Sequence, residues 1–114
     1  MRQVTKTFKA LTDRNRIRIV KMLQAHPLCV CEITEILGLA TSTVSKHLSI
    51  LRDAGFITSE KDGRWVNYRL VDDKSNTYAG ELLGQFETWL EEDPVIQSDK
   101  KQASRVDREA ICSN

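Results

Sequence analysis

The chain has 114 residues, enough for one domain with a modest core, and its apolar stretches fall well short of the ~20 residues that span a bilayer. Met1 to Lys6 is charged without the apolar run of a signal peptide, and three cysteines are an odd number for a disulfide framework, so a reduced, cytoplasmic setting is expected. The net charge of +1 hides an asymmetry: residues 1–70 carry +6 and residues 71–114 carry −5, so the front half can face phosphates while the acidic end must stay clear of them.

Taken in chain order, the apolar spacing predicts a first helix over Gln3–Leu11, with Val4, Phe8 and Leu11 on one stripe. Thr12 or Asp13 then caps a second helix, Arg14–Ala25, which turns Ile17, Val20 and Leu23 inward, and Pro27 closes the region. A short helix over Val30–Leu37 buries Ile33, Ile36 and Leu37, with Gly38 as its terminating residue. A tight turn leads to a helix over Thr41–Ala54, with Val44, Leu48 and Leu51 apolar, stopped by Gly55. The period then changes to two. Phe56–Glu60 and Arg64–Val71 read as strands, and Lys61-Asp62-Gly63 between them is a hairpin signal. A last helix is expected over Tyr78–Glu92. The chain thus divides into a domain over 1–92 and a polar, flexible tail over 93–114. The expected fold is mostly α with a small β-hairpin (α+β), a winged helix-turn-helix.

In that arrangement the Thr41–Ala54 helix is the DNA-reading element. Thr41, Ser42, Thr43, Ser45, Lys46 and His47 offer small hydroxyls, a cation and an imidazole, which admit close approach to the major groove and supply donors and acceptors. Lys61 and Arg64 put two cations at the hairpin tip, within reach of phosphate. The bland alternatives are a solvated polar helix face, and edge cations that guard a hairpin against aggregation. The apolar side chains of Val4, Phe8, Tyr78, Leu82, Phe86 and Trp89 exceed what so small a core can hide, so a homodimer through the first and last helices is expected. It would set two reading helices about one DNA turn (~34 Å) apart on an inverted repeat.

Cys29-Val30-Cys31 stands at the mouth of the helix preceding the DNA-reading one. Cys29 occupies the N-cap position of a capping box completed by Glu32, yet a thiol caps poorly, and losing a good cap costs roughly 1 kcal/mol. Sulfur there points to soft-ion chemistry, and a low-coordination thiolate site suits trivalent arsenic or antimony better than zinc. The helix N-terminus is expected to favour the thiolate. Two buried cysteines acting as small hydrophobes are the plain alternative. Cys112, on the tail, is a candidate third ligand, with an external thiol as the other option. No Ser-His-Asp, paired-carboxylate or phosphate-loop pattern supports an enzyme, and no organic cofactor is expected.

The stretches Leu11-Thr12-Asp13-Arg14-Asn15-Arg16-Ile17-Arg18-Ile19, Cys29-Val30-Cys31-Glu32, Thr43-Val44-Ser45-Lys46-His47-Leu48 and Gly63-Arg64-Trp65-Val66-Asn67-Tyr68 closely resemble the ArsR/SmtB family of metal-sensing winged-helix repressors, from Phe8 to Leu70. The resemblance implies a dimeric repressor of a metal-resistance operon that leaves its operator when an ion binds. The arsenic-responsive branch often has a third cysteine where this chain has Thr34, and the lead- and cadmium-responsive branch adds cysteines in an N-terminal extension absent here. Zinc- and nickel-responsive relatives carry Asp and His on the last helix, which here lacks histidine; His26 and His47 are expected to be structural or DNA-contacting. The resulting expectation is a metalloid-resistance repressor released by As(III) or Sb(III), with a cadmium/lead sensor and a thiol redox regulator as rivals.

Overall fold

Among the residues that the structure, a computed structural model, describes (1–72 and 77–111), the order is α1 (Arg2–Ala10), α2 (Arg14–Met22), β1 (Leu28–Cys29), α3 (Val30–Leu37), α4 (Thr41–Asp53), β2 (Ile57–Asp62), β3 (Trp65–Leu70), α5 (Tyr78–Phe86), α6 (Pro94–Ala103) and α7 (Arg108–Ile111). The first four helices lie where the sequence puts them, for identifiable reasons. Asp13 Oδ1 accepts the backbone N–H groups of Asn15 and Arg16 at 2.8 and 3.2 Å, capping α2. Gly38 ends α3 in the left-handed region at φ 68°, a conformation that costs a residue with a Cβ. Ile19, Val20, Met22, Leu28, Ile33, Val44, Leu48, Leu51, Phe56 and Ile57 are buried together, so α2, α3 and α4 close on one core that extends to the base of the hairpin. Each such side chain contributes roughly 1.5–3 kcal/mol through burial.

The sheet has three strands in the order β1-β3-β2, all antiparallel. Two features differ from the sequence expectation. Asp62 pairs with Trp65, so the hairpin loop is Gly63-Arg64, with Gly63 at φ 63° in the first central position, where a type II′ turn takes glycine. The two-residue strand β1 pairs Leu28 with Tyr68 and Cys29 with Asn67, tying the cysteine segment directly to the wing.

The C-terminal region departs most from expectation. The helix expected over Tyr78–Glu92 stops at Phe86, and Leu90 turns the chain at φ 64°. Phe86, expected at a dimer interface, is buried within its own chain and belongs to the core. Residues 93 onward, expected as a flexible tail, carry α6 and α7. Asp93 caps α6 through the N–H groups of Val95 and Ile96, and Pro94 occupies the first turn, where its missing N–H is harmless. Helix α6 packs on α2 and α3, with Ile96 and Ala103 buried, and α7 packs on α3. Much of the docking is polar: Arg18 Nε and Nη2 donate to the buried Asp99 carboxylate at 2.8 and 2.9 Å.

Lys21 was not foreseen as a core residue, yet it is fully buried. Its ammonium donates to the Phe86 carbonyl at 2.6 Å and stands 3.8 Å from Glu91, so it holds the carbonyl end of α5 and the turn beyond it. Burial lowers its pKa below the ordinary lysine value, more strongly than Glu91 raises it.

Candidate DNA interface and thiol site

Helices α3 and α4 pack against each other, and α4 presents its polar face outward. Thr41, Ser42, Thr43, Ser45 and Lys46 are all exposed, while Val44, Leu48 and Leu51 anchor the helix from behind. The N-cap is Ala40, whose methyl group cannot accept a hydrogen bond, and no side chain caps this end. The end of the helix dipole there suits an anion.

His47 is half-buried and held by α2. Arg16 Nη1 lies 3.1 Å from His47 Nδ1, and Arg16 Nε also donates to the Ala10 carbonyl at 2.7 Å. A guanidinium only donates, so in the neutral ring Nδ1 accepts and Nε2 carries the proton as a donor. His26 has a structural place instead, with its two ring nitrogens 3.0 and 3.1 Å from the carbonyls of Pro27 and Ala103.

At the wing, Lys61 and Arg64 are exposed. The Arg64 guanidinium lies 4.3 Å above the Trp65 ring, and a second guanidinium, from Arg108 of α7, lies at the same distance over that ring. Sequence reasoning missed Arg108 because the region around it reads as a polar tail. Its Nη1 donates to Asn67 Oδ1 at 2.7 Å and its Nη2 to Asp62 Oδ2 at 2.9 Å.

The cysteine segment joins three elements. Cys29 is the last residue of β1 and the N-cap of α3; its backbone N–H donates to Glu32 Oε1 at 2.9 Å, and the capping box is present. The side chain is buried at 1% exposure and is a free thiol. Burial pushes the Cys29 pKa up, and the Glu32 carboxylate acts in the same direction, against the N–H groups of Glu32 and Cys31. The expected bias of the helix N-terminus toward thiolate is thus overridden at Cys29, since desolvation disfavours the charged form more strongly. Cys31 is half-buried and disulfide-bonded; with Cys29 a free thiol, the two are not bonded to each other. Cys112, the candidate third ligand, lies outside the described residues. Among the described residues no three His, Cys, Asp or Glu side chains gather to hold a metal ion.

Of the proposed dimer residues, Phe8, Tyr78 and Trp89 are 56%, 50% and 46% exposed. Val4 and Leu82 are half-buried, Phe8, Tyr78 and Leu82 line one shallow cavity where α1 meets α5, and Trp89 lies beyond the end of α5. Among the described residues no helix is long and apolar enough to cross a membrane.

A hydroxyl-rich helix set behind a second helix and beside a basic hairpin defines a winged helix-turn-helix DNA-binding protein. Residues 13–59 match the family described as "Bacterial regulatory protein, arsR family". The chain is 40% identical over 84 residues to the arsenical resistance operon repressor of Bacillus subtilis (strain 168), covering 73% of this chain and 80% of that protein. It is 39% identical over 71 residues to the cadmium resistance transcriptional regulatory protein CadC homolog of Staphylococcus aureus, covering 61% of this chain and 59% of that one. In fold it is similar to the homodimeric winged helix-turn-helix domain of Mb0332 from Mycobacterium bovis, with a TM-score of 0.66 at 23% identity, covering 79% of this chain and 80% of that chain. The chain belongs to the ArsR family of bacterial regulatory proteins. It is a DNA-binding transcriptional regulator rather than an enzyme.

Proposed function

We propose that the chain is a cytoplasmic homodimeric repressor of a metalloid-resistance operon, released from its operator when As(III) or Sb(III) binds the thiols of Cys29, Cys31 and Cys112 in the reduced protein. Dimerisation uses the apolar side chains of Val4 and Phe8 on α1, Tyr78 and Leu82 on α5, and Trp89 in the turn beyond α5. Each protomer presents Thr41, Ser42, Thr43, Ser45, Lys46 and His47 to the major groove and Lys61 and Arg64 to the backbone, on an inverted repeat. Arsenical resistance in the Bacillus subtilis relative supports the choice of inducer.

The observation that carries the reading is the buried Cys29 thiol, kept neutral by its surroundings at the joint between the wing sheet and α3. Arsenous acid is itself neutral. When it reacts, each thiol proton leaves with one of its hydroxyls as water while a sulfur–arsenic bond forms, so no net proton is released. Capture of a dication must instead strip a proton from every thiol, which a raised pKa opposes. Cys29 is the extended N-cap while Cys31 lies in the first helical turn, so drawing their sulfurs onto one ion requires that turn to bend or unwind. That distortion passes to α4, against which α3 packs, and to β3 through the Cys29–Asn67 pair.

The cadmium reading keeps a specific support, the likeness to the CadC homolog. One mobility-shift series with a labelled operator, under a phosphine reductant, separates them. Arsenite and antimonite are expected to release the DNA at concentrations well below those of cadmium, lead or zinc. Release by cadmium or lead alone would overturn the metalloid assignment, and release by peroxide without any ion would favour a redox regulator.

A further inference from the structure

We propose that Arg108 is a positioning residue for operator binding: it grips both strands of the wing and, through the Trp65 indole they share, fixes the Arg64 guanidinium where it meets DNA. The inference rests on the DNA-contact half of the proposed function and not on the identity of the inducer.

Among the described residues, the distal wing is tied to the rest of the fold chiefly through Arg108. Strand β1 pairs with β3 only at Tyr68 and Asn67, so beyond Asn67 the wing is a two-stranded ribbon with Glu60, Lys61, Asp62, Gly63, Arg64 and Val66 exposed. Such a ribbon is marginally stable alone. Arg108 meets it at three points: Asp62 at the end of β2, Asn67 on β3, and the face of Trp65 between them. Asn67 Nδ2 reaches Asp62 Oδ2 at 3.4 Å, which closes a small polar circuit around the guanidinium. Only a planar fork with five donors can satisfy two acceptors and lie over an indole at once; a lysine ammonium keeps the charge but not the geometry. The hydrogen bond to Asp62 raises the Arg108 pKa further, and the Glu32 carboxylate acts in the same direction.

Asn67 is where the two halves of the molecule meet. Its backbone pairs with Cys29, and its side chain accepts from Arg108. Helix α7, which carries Arg108, rests on α3. Through this clasp the acidic C-terminal segment supports a basic DNA-binding tip.

The test is a double-mutant cycle read by fluorescence anisotropy on the operator duplex, without metal and with the full chain. Arg108→Lys is the principal variant because it retains a positive charge beside Asp62 while losing the fork. We expect it to weaken operator binding by about fivefold, and by less than about twofold once Arg64 is already alanine, as coupled neighbours do. Arg108→Ala is expected to show the same dependence on Arg64. In the free protein, iodide quenching of Trp65 in a Trp89→Phe background should rise when Arg108 is replaced. Equal losses in the presence and absence of Arg64 would reduce Arg108 to a fold-stabilising residue and overturn the proposal. Full affinity in Arg108→Lys would overturn it too. Full affinity in Arg64→Ala alone would remove the wing contact on which it stands.

Discussion

Removing the Asp99 carboxylate tests whether the C-terminal helix is part of the folded body. Asp99 has a side-chain exposure of 2% and takes two hydrogen bonds from Arg18, itself 18% exposed. Deleting one partner of a buried pair costs about 3–5 kcal/mol, largely because the other charge is left behind. The lower end applies here, since Arg18 Nη1 also donates to Asn15 Oδ1 at 3.2 Å. For a domain of this size, about 3 kcal/mol lowers Tm by roughly 12 °C. Thermal melts followed by circular dichroism, at one protein concentration, should therefore show Asp99→Ala melting well below wild type. Adding Arg18→Met should recover part of the loss, because the orphaned charge is gone. A melt of Asp99→Ala within about 2 °C of wild type would refute the reasoning, and with it the docking of α6 on α2.

Three further outcomes are expected. Lys21→Met should cost little stability by denaturant titration, under about 1.5 kcal/mol, because Gln24 Nε2 still donates to the Phe86 carbonyl at 3.0 Å, whereas Lys21→Ala should cost about 2–4 kcal/mol by leaving a cavity. The raised pKa of Cys29 keeps its thiol protonated through neutral pH, so cadmium affinity measured by calorimetry should climb about tenfold per pH unit for each proton released between about pH 6 and about pH 8, while arsenite affinity should stay flat; equal slopes would contradict the exchange chemistry. Phe8→Glu places a charge on the exposed apolar face of α1, and sedimentation equilibrium should show a monomer with weakened operator binding; an unchanged dimer would move the interface elsewhere.

The sequence disclosed most of the DNA-binding half, and the reasons are physical. Helices α2 to α4 bury apolar residues at helical spacing, and Asp13, which caps the start of α2, and Gly38 and Gly55, which follow α3 and α4, have local chemistry that is legible one residue at a time. Strand β1 has two residues, too few for any period, and exists only through its pairing with β3. Helix α6 docks through Arg18, Asp99 and His26, polar contacts to which hydrophobic patterning is blind, although Asp93-Pro94 is a readable helix start. Phe86 shares a stripe with Tyr78 and Leu82, but the break after it and the packing of α5 turn it inward. In the candidate site, the position of Cys29 as an N-cap was readable. Its raised pKa was not, because burial is set by β3 and α3 together rather than by the helix end alone.

The central claim is that the thiols, and not the DNA-reading surface, respond to the inducer. It is tested most directly by titrating arsenite into a complex of the reduced protein with a labelled operator, comparing wild type with the Cys29→Ser/Cys31→Ser double variant. Serine at position 29 caps α3 better than cysteine and keeps Glu32 in its capping box, so the variant should fold and bind DNA as wild type does without arsenite. Wild type should lose about a hundredfold in operator affinity on saturation with arsenite, a coupling of roughly 2.7 kcal/mol, while the variant loses none. A double variant that still leaves its operator when arsenite is added would contradict the account.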